Sequence, residues 1–294
     1  MLKLATIAAL ALSALLYAGI WWRALRGQHH LRRPTWVQLA TGAVTNFFDT
    51  LGIGSFATTT AIFQVTRMVP DALIPGTLNV GHTLPVVFQA FLYIAAIEVE
   101  PLTLVSMIAG ATAGAWFGAG WVAGLPLRSV RIGVGCALLV AFAAMLMRQL
   151  AWFPEGGDAL GLTGAKLLVA VILNGLMAAI STLGIGFYAP CMTLVSLMGM
   201  NPVAAFPIMM GSGAFLMPAA SSRFVLRNSY SPRVALGLTL GGMIGVPIAA
   251  FVVKSLPLEA VRWLVMGVVL YAAQAMLRAA FAGPASVEPV ALKS

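Results

Sequence analysis

The chain has 294 residues, 61% of them hydrophobic and only 9% charged, with a mean hydropathy of +0.97. A domain folded in water needs far more charged surface, so a soluble enzyme or binding module is excluded and a membrane protein is expected. The net charge of +9 does not point to nucleic acid, because the basic residues stand in short clusters between apolar runs with no basic face interleaved with aromatics.

Leu2 to Trp22 is apolar, and Arg23, Arg26, Arg32 and Arg33 follow it. A cleaved signal peptide carries its charge in front and a small-residue cleavage site behind, whereas here the charge comes after and Trp21-Trp22-Arg23 is no such site. The pattern predicts an uncleaved helix with its N-terminus outside and its arginines in the cytoplasm. Trp21, Trp22 and Trp36 fit an interfacial belt. Trp36 to Gln64 is about twice too long for one tidy span and holds Gly52-Ile53-Gly54 near its middle. Further apolar runs cover 72–97, 102–125, 130–147, 167–198, 203–220, 234–253 and 258–281, and each can cross a hydrocarbon core about 30 Å thick. The tail from Ala282 is short and polar. Cys136 and Cys191 lie inside apolar stretches without CxxC spacing or nearby ligands, so no metal site, no disulfide and no cofactor are expected.

The stretch from Asn46 to Pro85 has a near copy 132 residues later. Thr50-Leu51-Gly52-Ile53-Gly54 falls on Thr182-Leu183-Gly184-Ile185-Gly186 without a gap. Pro70 falls on Pro202, Pro75 on Pro207, Gly81 on Gly213 and Leu84 on Leu216. Chance apolar similarity does not produce a five-residue block with in-phase prolines. A duplicated membrane module, broken at the same point in each copy, follows.

These paired glycine-broken segments, with the downstream proline and glycine, resemble the sulfite exporter TauE/SafE family, also called the toluene sulfonate uptake permease family. The resemblance runs from roughly Trp36 to Ala280 and leaves the first thirty-odd residues as an extra element. It implies a permease for sulfite, a sulfonate or a related sulfur-containing anion in a cell inner membrane. The fold expected is an all-α polytopic bundle. Two homologous four-element modules, 36–150 and 164–281, are joined by a linker at 151–163. They are preceded by an N-terminal helix and basic loop at 1–35 and followed by a tail at 282–294.

Charge tests how the broken segments run. If each is a re-entrant hairpin with its glycines at the tip, the 17 Lys and Arg divide 12 against 5, with the acidic loop of Glu98 and Glu100 on the poorer side. If both span fully they divide 11 against 6, so the hairpin fits the positive-inside rule better. A hairpin plus three crossings is odd, which turns the second module upside down and brings the tips together near mid-membrane.

Gly52, Gly54, Gly184 and Gly186 permit positive φ and close backbone approach. A helix restarts after each pair, and its first amides, with the helix dipole, make an anion site without a basic side chain. Thr50, Ser55 and Thr58 add hydroxyls to the first tip, and Thr182 and Tyr188 to the second. Asn79 and Ser212 stand near the matched Gly81 and Gly213 and either complete the cavity or bond across helices. Asp49 is read as a coupling residue for protons or another ion, or as a cap on the restarted helix. His82 is read as a donor or proton carrier, or as a packing histidine. Close helix packing is the competing explanation of the glycines. Gly54-Ser55 with His82 lacks the GxSG motif of an intramembrane protease, so no enzyme is expected. No P-loop is present, so an ion gradient supplies the energy of any active transport. The partners are the bilayer and a small anion; a carboxylate or another anion, carried or conducted, is the second reading.

Overall fold

The computed structural model describes residues 1–27, 32–122, 126–150, 157–181 and 187–281, and among them the chain is helical throughout, with one isolated bridge between Ala159 and Met200. The helices are α1 (Leu2–Arg26), α2 (Trp36–Thr50), α3 (Ser55–Thr66), α4 (Ile74–Ala96), α5 (Pro101–Val122) and α6 (Leu127–Gln149). After these come α7 (Gly164–Ser181), α8 (Tyr188–Leu197), α9 (Ala205–Leu226), α10 (Pro232–Ser255) and α11 (Leu258–Phe281). Among the described residues, eight segments are long and apolar enough to cross a membrane; α2, α3 and α8 are too short to be among them. Large apolar side chains such as Leu4, Val65, Phe117, Val140 and Phe251 point outward, as a lipid-facing surface requires.

The sequence repeat reappears in the helices. Shifted by 132 residues, α3, α4, α5 and α6 fall on α8, α9, α10 and α11, every boundary agreeing within two residues. The packing repeats as well. α4 and α9 run antiparallel through the centre. Thr83 and Ser221 share a 2.6 Å hydrogen bond midway, Tyr93 lies on Phe206 at one end and Gly76 abuts the Ser229 carbonyl at the other. α6 and α11 are also antiparallel, with Arg131 donating to the Ala279 carbonyl at 3.2 Å and Gly135 against Leu277. α5 lies parallel to α7, where Gly110, Gly114 and Gly118 touch Val171, Gly175 and Ala179 in turn. Its counterpart α10 lies parallel to α2, where Gly237, Gly241 and Gly245 touch Gln38, Leu39 and Ala43.

Glycines four apart form a ridge without side chains, so the two backbones come into direct contact; in lipid this dispersion contact replaces the hydrophobic drive. α1 is the unpaired element. It leans on the central pair, burying Leu10, Tyr17 and Trp21, and the Tyr17 hydroxyl donates to the Val80 carbonyl at 2.9 Å.

The two ends of the bundle differ in charge. Arg233 donates to the Arg33 carbonyl at 2.9 Å at one end, beside the start of α4. At the other, Glu100 starts α5 by accepting from the Leu102 and Thr103 amides at 2.9 and 2.6 Å. Residues 157–163 fold over that turn, with Asp158 3.5 Å from Arg262.

Candidate functional site

α2 opens with a capping box, Thr35 and Gln38 each accepting from the other's amide. It ends at Thr50 because Gly52 takes φ +93°, a conformation that side chains disfavour. The Gly52 amide donates to the Asp49 carbonyl at 2.8 Å and the Ile53 amide to the Phe48 carbonyl at 3.1 Å, the bond pair of a Schellman stop. Gly54, at φ +91°, then reverses the chain into α3.

α3 runs back along α4 towards the level where α2 began. Phe56 lies by the His82 ring, Thr59 bonds it, and Phe63 reaches Ile74 and Leu78 near the start of α4. The pair α2–α3 is therefore an antiparallel helical hairpin with its glycines at the tip.

A buried polar cluster holds this tip. Asp49 is 2% exposed, and its Oδ1 accepts from the Ser55 amide, the first of α3, at 2.6 Å. The Asn46 amide donates to the Gly42 carbonyl at 2.8 Å, so its oxygen faces His82 and accepts from Nδ1 at 3.1 Å. The other ring nitrogen, Nε2, then accepts from the Thr59 hydroxyl at 3.0 Å. Thr50 donates to the Asn46 carbonyl at 2.6 Å and accepts from Gln89 Nε2 at 2.9 Å, while the Tyr93 hydroxyl donates to the Thr50 carbonyl at 2.9 Å. Among the described residues Asp49 has no ion pair.

The tip meets the second half of the chain. Gly52 packs against Met192 of α8 and Met209 of α9, and Tyr188, at the start of α8, lies within electrostatic reach of Asp49. Among the described residues, nothing stands within 4 Å of where a Cβ on Gly54 would lie. On the tip's outer side, a cleft of about 380 Å³ separates Phe48, Ile53 and Thr58 from Leu264, Gly267 and Tyr271 of α11.

The sequence profile of the sulfite exporter TauE/SafE family matches residues 50–276, from the last residue of α2 to within α11. The chain belongs to this family. TauE/SafE proteins are membrane transporters and not enzymes. Among curated proteins and solved structures, none matches the chain.

In this TauE/SafE protein, Asp49, Thr50, Gly52, Gly54, Ser55 and His82 come together at the first tip. Thr58 lines the cleft, its hydroxyl bonded back to the Ser55 carbonyl at 2.9 Å. The Tyr188 hydroxyl stands 3.4 Å from where a Cβ on Gly213 would lie, so that end of α8 faces α9. Ser212 is buried in α9 and donates to the Ile208 carbonyl at 2.8 Å; Asn79 bonds back to the Pro75 carbonyl at 2.9 Å, and among the described residues no hydrogen bond ties either to the first tip. Thr182, Gly184 and Gly186 lie outside the described residues. Sequence reasoning missed Asn46, Gln89 and Tyr93. The signal was present: His82, Gln89 and Tyr93 stand seven and then four residues apart in an apolar helix, which puts all three on one face.

Proposed function

We propose that the chain is a secondary transporter for a small sulfur-containing anion, such as sulfite or an organosulfonate, in the cell inner membrane. The anion sits at the first tip, against the N-terminus of α3. The observation that carries this reading is the glycine hairpin itself: irregular backbone turns at a buried Gly52 and a half-buried Gly54, with no described residue within 4 Å of a Cβ on Gly54, next to the amide end of a helix. Membrane proteins tolerate broken backbone at depth where it lines a cavity or is buried in protein, and half-helix N-termini are where they seat anionic groups. The sulfur chemistry of the substrate comes from the family alone.

The modules 36–150 and 164–281 are read as inverted repeats with re-entrant α2–α3 and α7–α8 segments. Support comes from the 132-residue register of the helices and from the antiparallel pairs α4–α9 and α6–α11. Repeats whose equivalent helices cross antiparallel are related by an axis perpendicular to them, which lies in the membrane plane. The end carrying Arg33 and Arg233 is then cytoplasmic and the end carrying Glu100 and Asp158 outside.

The test is a melting-temperature screen of the purified protein against sulfite, thiosulfate, sulfate, methanesulfonate and small carboxylates, because a ligand of the folded state raises its melting temperature. Stabilisation by a sulfur oxyanion or sulfonate, absent from Gly54→Val, supports the reading. Stabilisation by carboxylates alone moves the substrate to another anion, and no response to any anion rejects the site.

A further inference from the structure

We propose that His82 is the positioning residue of the first hairpin. Its neutral imidazole, with the proton on Nδ1, clasps both arms at once and sets where the amide end of α3 stands for the anion. It carries no coupling proton itself. The inference rests on the transport reading above and names what holds that site in shape.

The tautomer follows from Asn46. Its side-chain amide donates to the Gly42 carbonyl at 2.8 Å, and turning it over would set two oxygens against each other. The Asn46 oxygen therefore faces His82, and only a protonated Nδ1 makes a bond there at 3.1 Å. Nε2 lies 3.0 Å from the Thr59 hydroxyl and either accepts its proton or carries one of its own. A proton on Nε2 would oblige Thr59 to donate elsewhere. The usual acceptor for a helical threonine is the carbonyl one turn back, here that of Ser55. That oxygen already takes the Thr58 hydroxyl at 2.9 Å besides the Thr59 amide of the helix ladder. The hydroxyl therefore donates to Nε2, and the ring is neutral.

No neighbouring charge favours a second ring proton. His82 is fully buried, and among the described residues it has no ion pair. The one acid of α2, Asp49, has its Oδ1 on the Ser55 amide at 2.6 Å. α3 holds no ionisable residue, and α10, which meets Asn46 at Gly242, holds none between Arg233 and Lys254. Arg223 of α9 lies over the Trp116 ring. Tyr17 of α1 and Tyr93 of α4 give their hydroxyl protons to the Val80 and Thr50 carbonyls.

The clasp matters because the two arms are held unequally. α2 is seated along α10, where Gly241, Gly242 and Gly245 abut Leu39, Asn46 and Ala43. α3 has no such seat. Beyond the tip it is tied by Thr59 to His82, whose ring stands 5.9 Å from that of Phe56, and by Phe63 among Ile74 and Leu78. Its Thr58 side faces the cleft. A directional bond in the middle of α3 fixes its distance from α2 and the aim of its first amides.

The internal repeat marks these three residues as one unit. Shifted by 132 residues, Asn46, Thr59 and His82 fall on Ala178, Cys191 and Ala214, all fully buried. The whole clasp is exchanged for small apolar side chains. Dispersion packing therefore serves the second hairpin where hydrogen bonds serve the first, and α8 lies against both α6 and α11.

Nitrogen-15 NMR of the histidine-labelled full chain in lipid reads the ring without any substrate. The chain has three histidines, so a variant with His29 and His30 replaced by Gln reports His82 alone. At neutral pH, Nδ1 should be the protonated nitrogen and Nε2 the lone-pair one, and T59V should shift Nε2 more than Nδ1. A ring protonated at Nε2, or at both nitrogens, overturns the proposal.

Sulfite flux in proteoliposomes supplies the second arm. H82N keeps an N–H for Asn46 but leaves Thr59 without its acceptor, and T59V removes the same bond from the other side. Each should raise the half-saturating concentration about two- to tenfold, as the loss of one hydrogen bond predicts, with maximal flux retained. The double variant should lose no more than either single one, because all three lack the same bond. The pH profile of H82N should match that of wild type. Unchanged half-saturation in the single variants, or additive losses in the double, overturns the clasp; an altered pH profile overturns the neutral role. If the NMR pattern holds while wild type moves no sulfite, the transport reading fails and the clasp stands.

Discussion

Gly54→Val separates stability from transport at the tip. Gly54 sits at φ +91° and ψ 134°, and the Cβ of any other residue there would meet no described residue within 4 Å. The cost to folding is therefore backbone strain alone, about 1–3 kcal/mol for a non-glycine residue in this region. Gly52 at φ +93° carries the same strain, and its Cβ would also run into Met192 and come within 3.5 Å of Met209. Overpacking adds about 1–3 kcal/mol, so Gly52→Val should lose about 2–6 kcal/mol in all. Gly133→Ala on α6 is the control, because its Cβ also enters open space but the backbone is helical; it should gain about 0.5–1 kcal/mol. Thermal unfolding in detergent should rank the variants Gly133→Ala, Gly54→Val, Gly52→Val from most to least stable. Sulfite flux into proteoliposomes should survive in Gly133→Ala and vanish in a folded Gly54→Val, whose side chain fills the seat before α3. Normal flux in Gly54→Val would refute the tip as the site, and a loss of stability equal to that of Gly52→Val would refute the open space.

Gly114→Leu should prevent α5 from seating on α7, because Gly175 backbone occupies the place of the new side chain; the protein should fail to yield a monodisperse peak after extraction. At the turn before α5, burial alone would raise Glu100, but the bonds from Leu102 N and from the Thr103 amide and hydroxyl outweigh it and hold the carboxyl below its ordinary value. A group lowered by folding stabilises the protein above its unfolded value and loses that contribution as the pH falls through the folded one. Melting temperature should therefore drop on acidification below the usual carboxylate range, and Glu100→Gln should be less stable at neutral pH with a shallower acid limb. An acid limb in Glu100→Gln as steep as in wild type would refute this account.

The helices and the break were legible because lipid simplifies the code: a span is an apolar run of about twenty residues, and Gly52 and Gly54 mark the only way a chain can turn inside one. The 132-residue repeat was equally plain, since a block of five identities with in-phase prolines survives any apolar background. The cluster was only half legible. Asp49 and His82 stand out because ionisable groups are rare in spans, whereas Asn46 and Gln89 are neutral and were read past. Asn79 and Ser212 were chosen for adjacency to matched glycines, but a polar side chain on a helix can bond its own preceding turn, and both do. The glycine ridges of α5 and α10 were visible as small residues four apart, yet nothing in either sequence says which helix each ridge meets.

Duplication explains why the two halves need not do the same work. On the inverted-repeat reading each tip could seat an anion, and two like halves have two arrangements of comparable energy that exchange their roles. The described packing already departs from that symmetry. α8 lies against both α6 and α11, whereas a cleft holds the tip of α2–α3 apart from α11. The chemistry departs in the same place: Asp49 stands only in the first half, and Ser181 in the second offers no charge. On that reading a titratable group next to the looser hairpin would bias the exchange, because burial penalises its ionised form and not its neutral one. On the transport reading proposed above, that asymmetry gives the two hairpins unequal parts in the exchange.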